Sequence, residues 1–239
     1  MMTPLLDLLW PPACSACGAS PVHRPLCLPC EATLIGGALA ACPGCGGVYL
    51  TPPVGGGDHR CGSCLTRDPP WVQAVGAYAY GGALRDAIVR WKSRPDHTLS
   101  PAMQRLMIEG HEAAGWAPTS EVTCVVPVPS PFSALRRRGF NPAGLLARAM
   151  SRHWGWPVIT GLRVKPGKGS SHGATRAARS RRLRGVFKGE RRALSGASIV
   201  LVDDVMTTGA TARAAASACA RAGAQSITVA VLARAPLDG

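Results

Sequence analysis

Apolar positions in this chain recur with two periods, and stretches of the two kinds alternate. From Gly82, "GALRDAIVRWK" sets Leu84, Ile88 and Trp91 at helical spacing. Met103 to Ala114 repeats that spacing with Leu106 and Met107 turned inward. "PAGLLARAMSRHW", after Asn141, predicts a third helix whose inner face carries Leu145, Leu146 and Met150. "TARAAASACARAG" predicts a fourth, closed by Gly223. Around these lie short runs rich in β-branched and small residues: "VQAVGAYAY" (Val72 to Tyr80), "VTCVVPVP" from Val122, "ASIVLV" and "SITVAVLA". Strands alternating with helices mean βαβ crossovers, hence an α/β fold with a mainly parallel sheet flanked by helices. Ligands of such sheets bind beyond the carboxyl ends of the strands.

The first quarter breaks this pattern. It shows neither period, and it holds eight of the ten cysteines, as Cys14-x-x-Cys17, Cys27-x-x-Cys30, Cys42-x-x-Cys45 and Cys61-x-x-Cys64. A CxxC turn presents two sulfurs to one tetrahedral ion, and two turns complete a four-cysteine site with zinc as the metal. Spacers of nine residues (Cys17 to Cys27) and fifteen (Cys45 to Cys61) favour sequential pairing, though the first turn could also pair with the third. Four sulfurs per ion leave no open position, so both zinc ions are structural. Disulfides fit a secreted chain, and "MMTPLLDLLWPPAC" lacks the basic start and cleavage site of a signal peptide. Packing of Leu5, Leu6, Leu8, Leu9 and Trp10 against the body is expected instead, with a cytoplasmic location and no membrane span. "TPPVGGGDH" reads as a flexible insert in the second ribbon and "RDPPW" as the exit linker, dividing the chain into a ribbon module (1–68) and an α/β domain (69–239). Cys124 and Cys219 stand in apolar contexts, as small core residues.

Charge narrows the partners. The chain carries a net +14, and between Ser133 and Arg192 lie 16 of its 27 Lys and Arg against one acid, Glu190. That excess suits phosphates, pyrophosphates or a nucleic-acid backbone, while a solvated basic loop would look the same.

The stretch "IVLVDDVMTTGAT" (Ile199 to Thr211) stands out against this background. It ends a strand with two adjacent acids that have no obvious partner, then supplies hydroxyls, a glycine and a helix start at about Thr211. Unpaired amides and the positive dipole end of a helix suit a phosphate. Carboxylates beside it suit the hydroxyls of a ribose, or a hydrated Mg²⁺. A Walker B element also ends an apolar strand in acids, but no GxxxxGK[ST] accompanies it. An N-cap role accounts for one acid and leaves "TTGAT" unexplained.

"VLVDDVMTTGAT" closely resembles the phosphoribosyl-pyrophosphate motif of type I phosphoribosyltransferases. The resemblance implies that Asp203 and Asp204 contact the ribose hydroxyls and that Thr207, Thr208, Gly209, Ala210 and Thr211 wrap the 5′-phosphate. The cysteine turns, "YAYGGALRDAIVRWK", "VVPVP" and "RRRGFNPAGLLA" make the whole chain similar to the ComF (competence protein F) family, which joins zinc ribbons to a phosphoribosyltransferase-like domain and is implicated in DNA uptake. By that resemblance "VPVPSPFS", with Ser130, bears the pyrophosphate loop, and Arg136 to Asn141 begin a flexible basic segment.

For an enzyme, the implied reaction is displacement at the anomeric carbon of phosphoribosyl pyrophosphate with Mg²⁺, Arg136 and Arg138 offsetting charge on the leaving group. Thr207 stands where 6-oxopurine phosphoribosyltransferases carry their Asp base, which argues against hypoxanthine or guanine as acceptor. "SSHGATRAARSRRLRGVF" departs from the family pattern, with His172 near its Gln and Arg182 near its Asn. His172 is the one candidate base. The alternative is a non-catalytic protein that senses phosphoribosyl pyrophosphate or a nucleotide and contacts single- or double-stranded DNA through residues 176–192, which hold eight basic residues. The acceptor and the oligomeric state are not written in the sequence.

Overall fold

The computed structural model describes residues 13–20, 22, 26–36, 41–49, 51, 59–93, 98–116, 121–166 and 185–237. The expected packing of Leu5 to Trp10, most of the 51–59 insert, His172, Arg182 and the other basic residues between 167 and 184 lie outside these.

Two short helices belong to the cysteine-rich part, α1 (Leu28–Glu31) and α2 (Gly62–Thr66). The sheet then begins with β1 (Gln73–Ala79), followed by α3 (Gly82–Ser93) and α4 (Ser100–Ala113). Next come β2 (Cys124–Pro127), α5 (Phe132–Arg138) and α6 (Pro142–Trp154). A small antiparallel pair, β3 (Leu162–Val164) and β4 (Phe187–Gly189), precedes α7 (Arg191–Leu194). The chain finishes with β5 (Ser198–Met206), α8 (Ala210–Arg221) and β6 (Ser226–Arg234).

Four strands form one sheet in the order β1-β6-β5-β2, every pair parallel. The expected α/β class is the one observed. Parallel strands sandwiched between helices must be apolar on both faces, and β5 is buried at Ile199, Val200, Leu201 and Val202 alike. One face receives Leu84, Ile88 and Trp91 of α3, Met103 and Met107 of α4, and Leu146 and Met150 of α6. The other receives α8, whose Ala212, Ala215, Ala216 and Ala218 allow close approach, with Cys219, Leu162 and Phe187. Leu145 packs at the margin of the first cluster, and Cys124 and Cys219 are buried, as expected.

Two elements differ from the sequence reading. Arg136 to Arg138 do not begin a loose segment. They are the last turn of α5, which Gly139 ends in the left-handed conformation (φ 80°), and Phe140 is buried beyond it. The β3–β4 pair was not foreseen, because three-residue strands carry no readable period.

The cysteine-rich part straddles the sheet. Cys14, Ala16 and Leu26 pack with α3 on one face, while Cys42, Cys45, Cys64 and Trp71 pack with the α8 cluster on the other. "RDPPW" is anchored: Trp71 is buried and donates its indole N–H to Gly44 O at 2.8 Å, and Arg213 lies 5.4 Å over the Trp71 ring.

Candidate functional site

β5 does not stop at the acids. It pairs with β6 through Met206, opposite Arg234, so Asp203 and Asp204 lie within the strand, three and two residues before its end. Side chains on a strand alternate between faces, and the two acids part company accordingly. Asp204 has a partner that the sequence did not reveal. Lys92, near the end of α3, places Nζ 2.7 Å from its Oδ1, with the two side chains only 28% and 13% exposed.

Asp203 instead lines a small cavity of about 50 Å³ with Thr207, Thr208, Gly209, Ala210 and Thr211. One of its oxygens accepts the Asp204 backbone N–H at 2.9 Å. Burial pushes the Asp203 carboxyl up to about 7, and the Asp204 charge adds to the rise. Lys92 and the Asp204 N–H pull the other way.

The loop that follows is built to expose amides. Gly209 adopts φ 73°, open to glycine at little cost, and as N-cap of α8 it brings no side chain to the first turn. Thr208 Oγ1 stands 3.4 Å from Ala210 N, and Thr207 is exposed. Hydroxyls, the Ala210 amide that Thr208 Oγ1 holds at 3.4 Å, and a helix dipole thus converge on one concavity, with a carboxylate at its wall. That arrangement can hold the phosphate and a hydroxyl of one sugar phosphate.

The other proposed residues sit on separate supports. Ser130 follows β2, and its hydroxyl donates to Asn141 Oδ1 at 2.9 Å, while Asn141 donates to Val128 O. Arg136 is exposed over the Phe132 ring at 5.9 Å, and Arg138 is half-buried at the end of α5. Among the described residues neither arginine is held by a carboxylate.

The eight cysteines gather as Cys14, Cys17, Cys27 and Cys30, and as Cys42, Cys45, Cys61 and Cys64, so the pairing is sequential. Within each set the sulfurs lie within 4.8 Å of one another. The Cys17–Cys27 and Cys45–Cys61 separations are both 3.7 Å, against about 3.8 Å for a tetrahedral zinc with Zn–S of about 2.3 Å. Backbone N–H groups repeat in the two sets: Cys27 N donates to Cys14 Sγ and Cys61 N to Cys42 Sγ, each at 3.3 Å. Burial opposes ionisation of Cys14 and Cys42, but amides outweigh it and bring these thiols down to about 6 and about 7. The donor sets fit zinc.

Lys92 and Arg234 are the residues that sequence reasoning missed. Lys92 follows Trp91 in a helix read only for its apolar face. Arg234 comes one residue after the point where the last strand was expected to end.

Comparison with known proteins matches these parts to two families. Residues 5–65 match the double zinc ribbon domain and residues 132–238 the phosphoribosyl transferase domain. The DNA utilization protein YhgH of Salmonella typhimurium is 30% identical over 216 residues, covering 89% of this chain and 91% of that protein. Its counterpart in Escherichia coli K12 is 31% identical over 81% of this chain and 83% of that protein. Competence protein F of Haemophilus influenzae is 28% identical over 74% and 79%. Among solved structures, glutamine phosphoribosylpyrophosphate amidotransferase from B. subtilis overlaps 61% of this chain and 27% of its own at TM-score 0.38 and 21% identity.

Proposed function

This chain belongs to the ComF (competence protein F) family, and from that premise we propose that its crevice binds phosphoribosyl pyrophosphate together with Mg²⁺. Asp203 and Asp204 accept the ribose hydroxyls, and Thr207 to Thr211 hold the 5′-phosphate at the start of α8. The observation that carries this reading is the cavity shared by Asp203 and all five loop residues. A ribose hydroxyl reaching Asp204 shares that carboxylate with Lys92. Mg²⁺ would neutralise charge on the pyrophosphate, with Ser130, Arg136 and Arg138 beside it on the segment after β2. Transfer of the phosphoribosyl group to an acceptor is the reaction this binding mode serves. The ribbons, up to about Pro69, act as a zinc-held module with no catalytic metal.

The test is calorimetric titration of phosphoribosyl pyrophosphate with Mg²⁺ into the zinc-loaded protein. Asp203→Asn should weaken binding by about 1.5–3 kcal/mol, the range for hydrogen bonds to charged groups, or roughly 10- to 150-fold. Wild-type affinity in a folded Asp203→Asn variant would remove the ribose clamp from the reading.

A second reading is favoured by the relatives' names and by the basic residues of 176–192, of which Lys188, Arg191 and Arg192 are described and exposed. In it the protein holds the sugar phosphate without turnover and contacts DNA through phosphates, single- or double-stranded, without sequence readout. Affinity for a DNA oligomer should then fall steeply with salt and not with sequence. No retention on DNA at low salt would exclude it.

A further inference from the structure

Arg234 closes β6 as a buried cation, 5% exposed, and its guanidinium bridges two parts of the molecule. Toward the second cysteine cluster, Nε donates to Cys45 O at 3.2 Å and Nη2 to Cys45 Sγ at 3.5 Å. Toward the phosphate loop, Nη1 donates to the carbonyls of Met206 (3.0 Å) and Thr207, and also to Ala235 O at 3.1 Å. β1 leaves room for this side chain: a Cβ at Gly76 would stand 2.6 Å from Arg234 Cβ. The group lies in a cleft of about 730 Å³ that has Cys45, Cys61 and Cys64 on one wall and Thr207, Thr208 and Gly209 on the other.

A buried guanidinium needs a counter-charge. Among the described residues no carboxylate pairs with Arg234. Carbonyl oxygens satisfy its hydrogens without neutralising it, and the remaining contact is the sulfur of Cys45, a member of the second cluster. A zinc ion held by four thiolates keeps a net double negative charge. The loaded second cluster therefore supplies what the arginine lacks. Cys14 and its partners pack on the opposite face of the sheet, with α3, and among the described residues no hydrogen bond runs from them to Met206–Thr211.

We infer that Arg234 is a positioning residue that makes zinc in the second cluster, and not in the first, a condition for the shape of the phosphate loop. The tetrathiolate holds the guanidinium, and the guanidinium holds the Met206 and Thr207 carbonyls, which orient the peptides leading into Gly209. Without zinc the four sulfurs no longer hold a double negative charge beside the buried Arg234, and the loop loses its anchor. The consequence for ligand affinity rests on the sugar-phosphate reading above, while the coupling itself does not.

Hydrogen exchange read by mass spectrometry over residues 203–213 tests this in the full chain, with zinc content measured alongside. Cys61→Ser, which spares the cysteine touching Arg234, should speed loop exchange about ten-fold or more, and Arg234→Gln should do the same. Arg234→Lys should restore part of the protection, and Cys17→Ser in the first cluster should leave the loop at wild-type rates. Arg234→Gln should also release one of the two zinc ions to a chelator faster, the other unchanged. Equal loop exchange in the two cysteine variants would overturn the inference, as would wild-type release of both ions from Arg234→Gln. Loss of protection across α6 as well as the loop in Cys61→Ser would overturn it too, since zinc would then govern the fold and not the loop. Calorimetry with ribose 5-phosphate keeps the two readings apart: failure to bind the wild type sinks the sugar-phosphate reading and leaves the exchange result standing.

Discussion

Replacing Lys92 by Met keeps most of the side-chain volume and removes the charge that faces Asp204. Two unit charges about 4 Å apart attract by about 4 kcal/mol at an effective dielectric of about 20, before desolvation is subtracted. Lys92 and Asp204 approach to 2.7 Å with most of both side chains covered, so the pair belongs with charge-assisted hydrogen bonds, worth about 1.5–3 kcal/mol net. At pH 8 the substitution also strands two carboxylates on adjacent residues, and the loss should reach about 2–3 kcal/mol. At pH 5 the Asp203 carboxyl, with its pKa raised to about 7, is neutral, so one charge is stranded instead of two. The loss should shrink to about 1–2 kcal/mol. Urea unfolding of the zinc-loaded protein at both pH values, followed by tryptophan fluorescence, reads the difference, and effects common to both chains cancel in it. A double-mutant cycle with Asp204→Asn should return a coupling of about 1.5–3 kcal/mol at pH 8. A loss below about 0.5 kcal/mol at pH 8, or an equal loss at both pH values, would refute the argument.

Asp203→Asn should raise stability at pH 8 and not at pH 3. The folded pKa of about 7 lies above the ordinary 3.8, so the stability linked to this carboxyl is full below 3.8 and is lost as pH rises through 7. Chemical denaturation at the two pH values checks this, and an equal change at both would remove the cause. His111 is buried, with Nδ1 2.7 Å from Met107 O, and burial lowers its pKa from 6.5 to about 4. The unfolded chain therefore takes up a proton first as pH falls below 6.5, and stability should drop by about 3 kcal/mol by pH 4. A folded His111→Phe variant should lose that slope between pH 6.5 and 4, and an unchanged slope would assign it elsewhere. Cys14→Ser and Cys42→Ser should each lower zinc from two ions per chain to one by elemental analysis, since each cysteine belongs to a different set. Full retention in either variant would mean a wrong ligand set.

What could be read in the sequence was what repeats along it. The inward positions Leu84, Ile88, Trp91, Leu146 and Met150 were legible because helical spacing reports burial directly. The two zinc sites were legible because each CxxC turn is local and its partner lies nine or fifteen residues on. The loop from Thr207 to Thr211 was legible as a contiguous motif. Lys92 was not, because it meets Asp204 across 112 positions and no periodicity registers one polar contact. Arg234 was missed for the same reason, since it meets Cys45 across 189 positions, and because an arginine after an apolar run reads as the end of a strand. The family resemblance implies a flexible basic segment from Arg136, whereas Arg136 to Arg138 close a helix in which Ala134 is buried and which Gly139 ends.

Sheet order also bears on how the molecule is made. β1 finds its sheet partner in β6, the last of the described strands. Synthesis at about 5–20 residues per second would leave β1 waiting roughly 8–30 seconds for the residues that pair with it. During that interval the second zinc cluster lacks Arg234, and Gly46 lacks the settled β1 backbone that its turn approaches too closely for any Cβ (2.3 Å from Ala74 O). A ribosome that stalls before β6 would therefore hold a chain with all eight described helices made and neither its central sheet nor its second ribbon complete. Residues 226–234 therefore complete two parts of the molecule that begin before residue 80.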